Sequence, residues 1–109
     1  MSAGMLRTAD KPGERFSAAI LDALPHPVVL VRGDGMVEDA NTAAQNFFQA
    51  SINVLRRHPI EYFVPFGSPL LSLIEQVRSR GAPVNEYRVD LGTPRNGGER
   101  IVDVYAAPV

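Results

Sequence analysis

The chain has 109 residues, 45% of them hydrophobic, and it carries 11 basic and 12 acidic residues for a net charge of −1. This length suits one hydrophobic core, and the balanced charge excludes the strongly positive surface that nucleic acids and anionic membranes attract. The absence of cysteine excludes disulfides, thiolate metal sites and cysteine nucleophiles. No apolar run is as long as a secretory signal or a membrane span of about 20 residues requires, so we expect a cytoplasmic protein.

The chain begins with a polar segment that is followed by an amphipathic helix. Residues 1–14 are small and polar, with Gly and Pro among them, and we expect a flexible tail there. Further on, Phe16, Ile20 and Leu24 recur at helical spacing, and Pro25 ends the pattern because the residue before a proline avoids the α region. The sequence therefore predicts a short amphipathic helix at the start of a domain that covers residues 15–109.

A β-hairpin and a second helix follow. Residues 28–31 are apolar and mostly β-branched, residues 33–35 read Gly-Asp-Gly, and residues 36–40 resume as a strand, which is the pattern of two antiparallel strands. Asn41 stands at the end of the second strand, directly before a helical apolar pattern. We expect the Asn41 side chain to cap that helix by accepting an unpaired amide hydrogen.

The middle of the chain predicts short helical turns and then one longer helix. Two prolines interrupt residues 51–67, so we expect only short turns over the core there. Ser68 and Pro69 have the types that favour the N-cap and the first position of a helix, and Gly81 is a typical helix end. Between them, one apolar face has helical spacing and consists of Leu70, Leu73, Ile74 and Val77.

The last third of the chain predicts two further strands. Tyr87, Val89 and Leu91 alternate with charged residues, and residues 99–107 form a second alternating run after the loop 92–98. The element order predicts an α+β fold, an antiparallel sheet with short helices over one face. About four strands are present, so we expect the domain to be truncated before a fifth, last strand. A strand from a neighbouring chain is the alternative occupant of the open edge.

Three segments resemble a known family. The stretch VEDANTAAQNFF resembles the start of PAS domains, where a strand runs into an Asn-capped helix. VPFGSPLLSLIEQV and NEYRVDLGTPR resemble the sensory domain of NtrB-type nitrogen regulation histidine kinases, particularly the alphaproteobacterial kind. The resemblance covers residues 15–109 and implies a PAS fold, with a five-stranded antiparallel sheet in the spatial order 2-1-5-4-3.

The same resemblance implies a role in two-component signalling for nitrogen assimilation or fixation. Kinases of this family sense nitrogen status through the signalling protein PII, autophosphorylate on a histidine with ATP, and phosphorylate the response regulator NtrC. His26 and His58 do not match the family's His-Glu-x-x-Asn-Pro phosphoacceptor pattern, and the sequence has no glycine-rich ATP-binding box. We therefore expect this segment to be a non-enzymatic sensor and dimerisation domain, with neither metal nor cofactor, in a larger phosphotransferase.

Apolar residues on the predicted helices are candidates for a ligand cavity of the PAS type. Packing of an ordinary hydrophobic core explains the same residues, and the sequence identifies no ligand. The predicted helix 68–80 has no histidine for haem, and the chain has no cysteine for a flavin photosensor. The candidate lining residues are Phe47, Phe48, Tyr62, Phe63, Phe66, Leu70 and Ile74.

Two further regions are candidates for interactions. Phe16, Ile20 and Leu24 are the expected contact of a homodimer, because a two-fold pair is the commonest oligomer; the alternative is that their helix packs on its own sheet. The basic run at residues 56–58, Arg-Arg-His, suits either an anion site or a solvated loop. His26 suits either a pH-sensitive switch or a simple turn between two prolines.

Three functions from different classes follow from these observations. The first is a relay module in which a dimer holds the kinase subunits in one of two arrangements. The second is a receptor with a small molecule in an apolar cavity. The third is a small enzyme, for which the available carboxylates show no paired spacing: Asp34, Glu38, Asp39, Glu61 and Glu86.

Overall fold

The computed structural model of the chain describes residues 2–9 and 22–108. Its elements are β1 (Ser2–Ala9), β2 (Val28–Arg32), β3 (Val37–Ala40), α1 (Thr42–Phe48), α2 (Ile52–Leu55), a 3₁₀ helix (Ile60–Phe63), α3 (Pro69–Arg80), β4 (Val84–Asp90), a second 3₁₀ helix (Pro94–Asn96) and β5 (Ile101–Pro108). The strands form one five-stranded sheet in the order β3-β2-β1-β5-β4. The predicted α+β class is confirmed.

The first predicted hairpin is present. β2 pairs antiparallel with β3, and Oδ1 of Asp34 holds the turn by accepting the Met36 amide at 3.0 Å. Gly35 in this turn has a φ of 87°, a conformation that glycine adopts without steric cost. All residues of β2 except the last are buried. Burial along the whole strand explains why the sequence of β2 is a continuous apolar run rather than an alternating one.

The second predicted hairpin, formed by β4 and β5, differs from the prediction at Tyr87. The pairing shifts register between Glu86 and Val89, and Arg88 between them has a φ of 57°, which together mark a β-bulge. Because the bulge interrupts the alternation, Val89 is 3% exposed whereas Tyr87 is 69% exposed. Tyr87 therefore does not belong to the buried face of β4 that the sequence predicts.

The central strand of the sheet comes from the segment predicted as a flexible tail. β1 runs parallel to β2, with Met5 opposite Val28, and parallel to β5, with Met5 opposite Tyr105. It pairs the backbone edges that β2 and β5 would otherwise leave open, and it joins the two hairpins into one sheet. Over residues 2–9 the structure thus has a strand where the sequence predicts a flexible tail.

The helices cover one face of the sheet and enclose the core. Ser68 caps α3 as predicted, since its Oγ accepts the Leu70 amide at 3.2 Å. Gly81, with a φ of 66°, ends the helix and donates its amide to the Val77 carbonyl at 2.8 Å. The predicted apolar face of α3 is buried in the core cluster together with residues of both hairpins and of the shorter helices, among them Val29, Val31, Ala44, Phe48, Leu55, Phe63 and Val104.

The segment between α1 and α3 consists of short turns, as its prolines predict. α2 begins after Ser51, whose Oγ accepts the Val54 amide at 3.4 Å. The first 3₁₀ helix is tied to the first hairpin, because the Ile60 amide donates to the Gly35 carbonyl at 2.9 Å. Pro59 also forms an isolated bridge with Met36. These bonds fix the 3₁₀ helix against the sheet.

The loop between β4 and β5 is organised around a buried amide. Asn96 is 2% exposed; its Oδ1 accepts the Thr93 amide at 2.8 Å, and its Nδ2 donates to the Leu91 carbonyl at 3.1 Å. Gly92 has no room for a side chain, because a Cβ there would lie 1.8 Å from the Gly98 carbonyl oxygen. The loop is therefore a defined structure, and its Asn96 carbonyl also accepts Nε of Arg100 at 3.1 Å.

Candidate functional site

The predicted cavity-lining residues separate into a buried and an exposed group. The buried group belongs to the core cluster and consists of Phe47, Phe48, Phe63, Leu70 and Ile74. Its aromatic rings pack on one another, with centroids 5.0 Å apart for the first pair and 6.2 Å apart for Phe48 and Phe63. Tyr62 is 49% exposed and Phe66 107% exposed, so the structure differs from the prediction for these two. Tyr62 lies on the first 3₁₀ helix and Phe66 on the loop after it, and both side chains point to solvent.

Asn41 joins α1 to β2 and to the segment that precedes β2. Its Oδ1 accepts the Ala44 amide at 2.9 Å, which is the predicted helix cap, and also the Val28 amide at 2.9 Å. Its Nδ2 donates to the His26 carbonyl at 2.8 Å and, with a longer bond of 3.5 Å, to the Leu24 carbonyl. Asn41 is 1% exposed, so these bonds are shielded from competing water.

The next residue, Thr42, binds Asp22. Oδ1 of Asp22 accepts the Thr42 amide at 2.9 Å and the Thr42 hydroxyl at 3.1 Å. Both bonds are charge-assisted, because the acceptor is a carboxylate. The contact joins residues 20 positions apart in the sequence, and no local pattern signals it. Sequence analysis found Asn41 as a cap but missed Asp22 and Thr42.

We call Asp22, Asn41 and Thr42 the N-terminal junction. Two successive residues at the start of α1 hold the segment 22–28 at four of its residues. A displacement of that segment must therefore either break these hydrogen bonds or move α1 with it. Since Phe48 anchors α1 in the core, the junction connects the segment 22–28 to the domain interior.

The predicted dimer contact is described only in part. Phe16 and Ile20 lie outside the described residues. Asp22 and Ala23 are helical, and Leu24, which follows them, is 37% exposed. The Leu24 side chain is therefore accessible for a contact beyond the described residues.

The basic run at residues 56–58 does not form one anion site. Arg56 pairs with Asp39 at 3.4 Å, whereas the His58 ring stacks on the Tyr62 ring with centroids 4.1 Å apart. Arg57 is exposed and forms no ion pair with a described residue. Of the three predicted anion ligands, Arg56 is therefore already bound to a carboxylate, and His58 belongs to an aromatic stack.

A polar cleft of about 230 Å³ lies between the first hairpin turn, the first 3₁₀ helix and α3. Asp34, Glu61, Glu75 and Arg78 contribute its charged groups. Nη2 of Arg78 donates to the Arg32 carbonyl at 3.1 Å, and the Arg32 guanidinium, bound to Asp34, lowers the pKa of that carboxyl. Within residues 22–108, no cluster of His, Asp and Glu side chains is arranged to hold a metal ion.

The carboxylates of the enzyme hypothesis lie in three different places. Asp34 and Glu61 line the cleft, Glu38 and Asp39 lie on β3, and Glu86 lies on the edge strand β4. No described hydrogen bond joins two of them.

Comparison with known proteins finds one family over most of the chain. The family described as PAS fold matches residues 15–109. No solved structure matches the chain. Among the described residues, no helix combines the length and apolarity needed to cross a membrane.

Curated relatives of the chain share one name. The chain is 56% identical over 108 residues to the sensory histidine kinase/phosphatase NtrB of Rhizobium meliloti (strain 1021), covering 96% of this chain and 28% of the relative. Identity to the protein of that name from Rhizobium leguminosarum bv. phaseoli is 45% over 100 residues, covering 92% and 26%. Identity to the protein of that name from Azospirillum brasilense is 34% over 84 residues, covering 77% of this chain and 21% of the relative. The chain thus spans less than a third of the length of these relatives.

Proposed function

This chain is a PAS domain of the kind found in NtrB-type sensory histidine kinases, and from that premise we propose that it is the regulatory sensor domain of a longer two-component kinase. The observation that carries the proposal is the 56% identity to the Rhizobium meliloti kinase/phosphatase over 96% of this chain. In this proposal, histidine phosphorylation and ATP binding belong to parts of the longer kinase outside this chain. In this proposal the parent kinase responds to PII and phosphorylates the response regulator NtrC.

The N-terminal junction supports a relay role for the domain. The segment before β2 is fastened to α1 by the side chains of Asp22 and Asn41, so the two move as a unit. A partner that favours one position of this segment shifts the equilibrium between two arrangements of the domain. The size of the shift is set by the difference between the partner's affinities for the two arrangements. The domain needs no chemistry of its own for this role.

The relay proposal includes a homodimer formed by the helix that precedes Pro25. The sequence spacing of Phe16, Ile20 and Leu24 predicts one helical face, and the exposed Leu24 side chain supports its availability. Native mass spectrometry of the gently purified chain tests this part, and we expect a dimer without a bound small molecule. A monomer would contradict the helix contact, and a stoichiometric small-molecule adduct would favour a receptor function instead.

The relay role is tested by Asp22→Ala in the full-length parent kinase. Removing the carboxylate breaks both bonds to Thr42, so we expect normal basal autophosphorylation but a response to PII that is smaller by about fivefold or more. Phosphate transfer from ATP, measured with and without PII, gives both quantities. Glu86→Ala, which removes an exposed carboxylate from β4, is the matched control. An undiminished response in Asp22→Ala would refute the relay through the junction.

A further inference from the structure

One surface of the domain combines an exposed aromatic ring with guanidinium groups that have no carboxylate partner. It consists of His58, Tyr62 and Arg95, together with Arg57, which precedes His58 in the chain, and we call it the Tyr62 surface. Tyr62 is 49% exposed, and both arginines are exposed. Tyrosine and arginine are among the residue types enriched at the energetically dominant contacts of protein interfaces. The composition of this surface is therefore that of a contact site.

The Tyr62 surface is ordered before any partner binds. The His58 and Tyr62 rings are stacked, with centroids 4.1 Å apart and an interplanar angle of 13°. Nη2 of Arg95 donates to the Tyr62 hydroxyl at 2.8 Å, and its Cζ lies 4.9 Å from the centre of the Tyr62 ring. Because these contacts already restrict the side chains, binding would cost less conformational entropy than on a surface of free arginines.

The charges of the Tyr62 surface are unpaired within the described chain. Arg57 and Arg95 form no ion pair with residues 22–108, and the neighbouring carboxylate Glu61 lines the cleft beside α3. By contrast, Arg32, Arg56 and Arg78 each form an ion pair with a carboxylate. The exposed Tyr62 ring thus has beside it the guanidinium group of Arg95, whose charge no described carboxylate balances.

We propose that the Tyr62 surface is a docking site for an acidic segment of a partner protein. A carboxylate of that segment binds the N–H groups of Arg95 that Tyr62 does not use, a second carboxylate meets Arg57, and an apolar side chain covers the Tyr62 ring. Anionic membranes and nucleic acids fit less well, because they need a cluster of about four or more Lys and Arg side chains. The net charge of −1 also disfavours them.

The proposal is tested by nuclear magnetic resonance titration of the ¹⁵N-labelled 109-residue chain with a short peptide that contains four Glu residues around one Leu. We expect saturable shifts confined to the amides around Tyr62 and Arg95. Arg95→Gln is expected to weaken binding by about fivefold or more, because a charge-assisted bond is lost. Arg95→Lys, which keeps the charge but loses the planar fork, is expected to weaken it by a smaller factor.

Arg80→Gln is the matched control, because Arg80 is an exposed arginine at the end of α3 and forms no ion pair with a described residue. It removes the same charge from another place and is expected to leave binding unchanged. Equal weakening by Arg80→Gln and Arg95→Gln would overturn the proposal, since it would mean non-specific attraction. Absence of binding, or shifts located elsewhere, would overturn it as well. The test is independent of the N-terminal junction and of the proposed kinase function.

Discussion

The N-terminal junction and the strand β1 hold the beginning of the chain in two different ways. At the junction, the side chains of Asp22 and Asn41 supply acceptors and donors that the backbone alone does not have. β1 instead lies between β2 and β5 and is paired along its length through the backbone. Backbone amides and carbonyls are the same for every residue except proline. The junction therefore depends on residue identity, and β1 depends on the presence of a strand.

This difference determines which of the two attachments is replaceable. Any strand of sufficient length, including one from a second chain, satisfies the edges of β2 and β5. The bonds of Asn41, in contrast, reach four backbone groups from one buried amide. Replacement of β1 by another strand would leave the hydrogen bonds of the junction in place. Loss of the junction's hydrogen bonds, in contrast, would detach the segment 22–28 from α1.

The largest effect is expected for Asn41→Ala. The substitution removes the cap of α1 and leaves the amides of Val28 and Ala44 without their acceptor, which lowers the free energy of unfolding by about 3 kcal/mol. Urea unfolding of the two proteins measures the difference. Asn46→Ala, the same change on the exposed face of α1, is the control and is expected to cost less than about 0.5 kcal/mol. Similar losses for both would mean that the junction has no special role.

The part of the fold that the sequence predicts is the part that local chemistry specifies. The hairpin turn around Asp34, the cap residues Asn41 and Ser68, and the helix end at Gly81 all act within four residues of their partners or end an element directly. Their types and spacing are visible in the sequence for that reason. The helix α3 and both hairpins were predictable from these signals and from the apolar periodicity.

The remaining features arise from contacts between distant segments. The bond between Asp22 and Thr42 depends on how the segment before β2 is placed, which no local pattern reports. The bulge at Arg88 turns Tyr87 to the surface although the alternation places it on the buried face. The sequence of β1 has neither strong alternation nor a turn signal. Its place in the sheet follows from the two hairpins, between which it lies. The exposed position of Tyr62 likewise depends on the arrangement of the first 3₁₀ helix.

A smaller effect is expected for substitutions in the middle of β1. Leu6 lies opposite Val29 on one side and Ala106 on the other, so a proline there removes an amide from a strand that is paired on both sides. We expect Leu6→Pro to lower the free energy of unfolding by about 2 kcal/mol and Leu6→Thr, which keeps the amide, by about 0.5 kcal/mol. Urea unfolding measures both. If threonine costs as much as proline, β1 depends on side-chain identity and its contrast with the junction fails.

The smallest effect concerns Asp90, a charged side chain that holds backbone amides at the end of β4. Its Oδ1 accepts the Arg100 amide at 2.9 Å and the Gly92 amide at 2.8 Å. These bonds, the one from Arg100 first, lower the pKa of the Asp90 carboxyl below its ordinary value of 3.8. Because the pKa is lower in the folded state, the stabilisation is fully present above the unfolded pKa. It is lost as the pH falls through the folded pKa.

We therefore expect Asp90→Asn to unfold at a lower urea concentration than the parent chain at about pH 6, and this difference to shrink towards about pH 2.5, as the pH approaches the lowered pKa of Asp90 and its carboxylate begins to take up a proton. Glu99→Gln removes an exposed carboxylate from the same hairpin and should leave the urea midpoint nearly unchanged at both values, because Glu99 makes no hydrogen bond with a described residue. A difference that stays constant with pH would mean that the shape of the Asp90 side chain matters and its charge does not. Asp90 would then resemble Asn41, whose uncharged amide anchors the backbone by geometry alone.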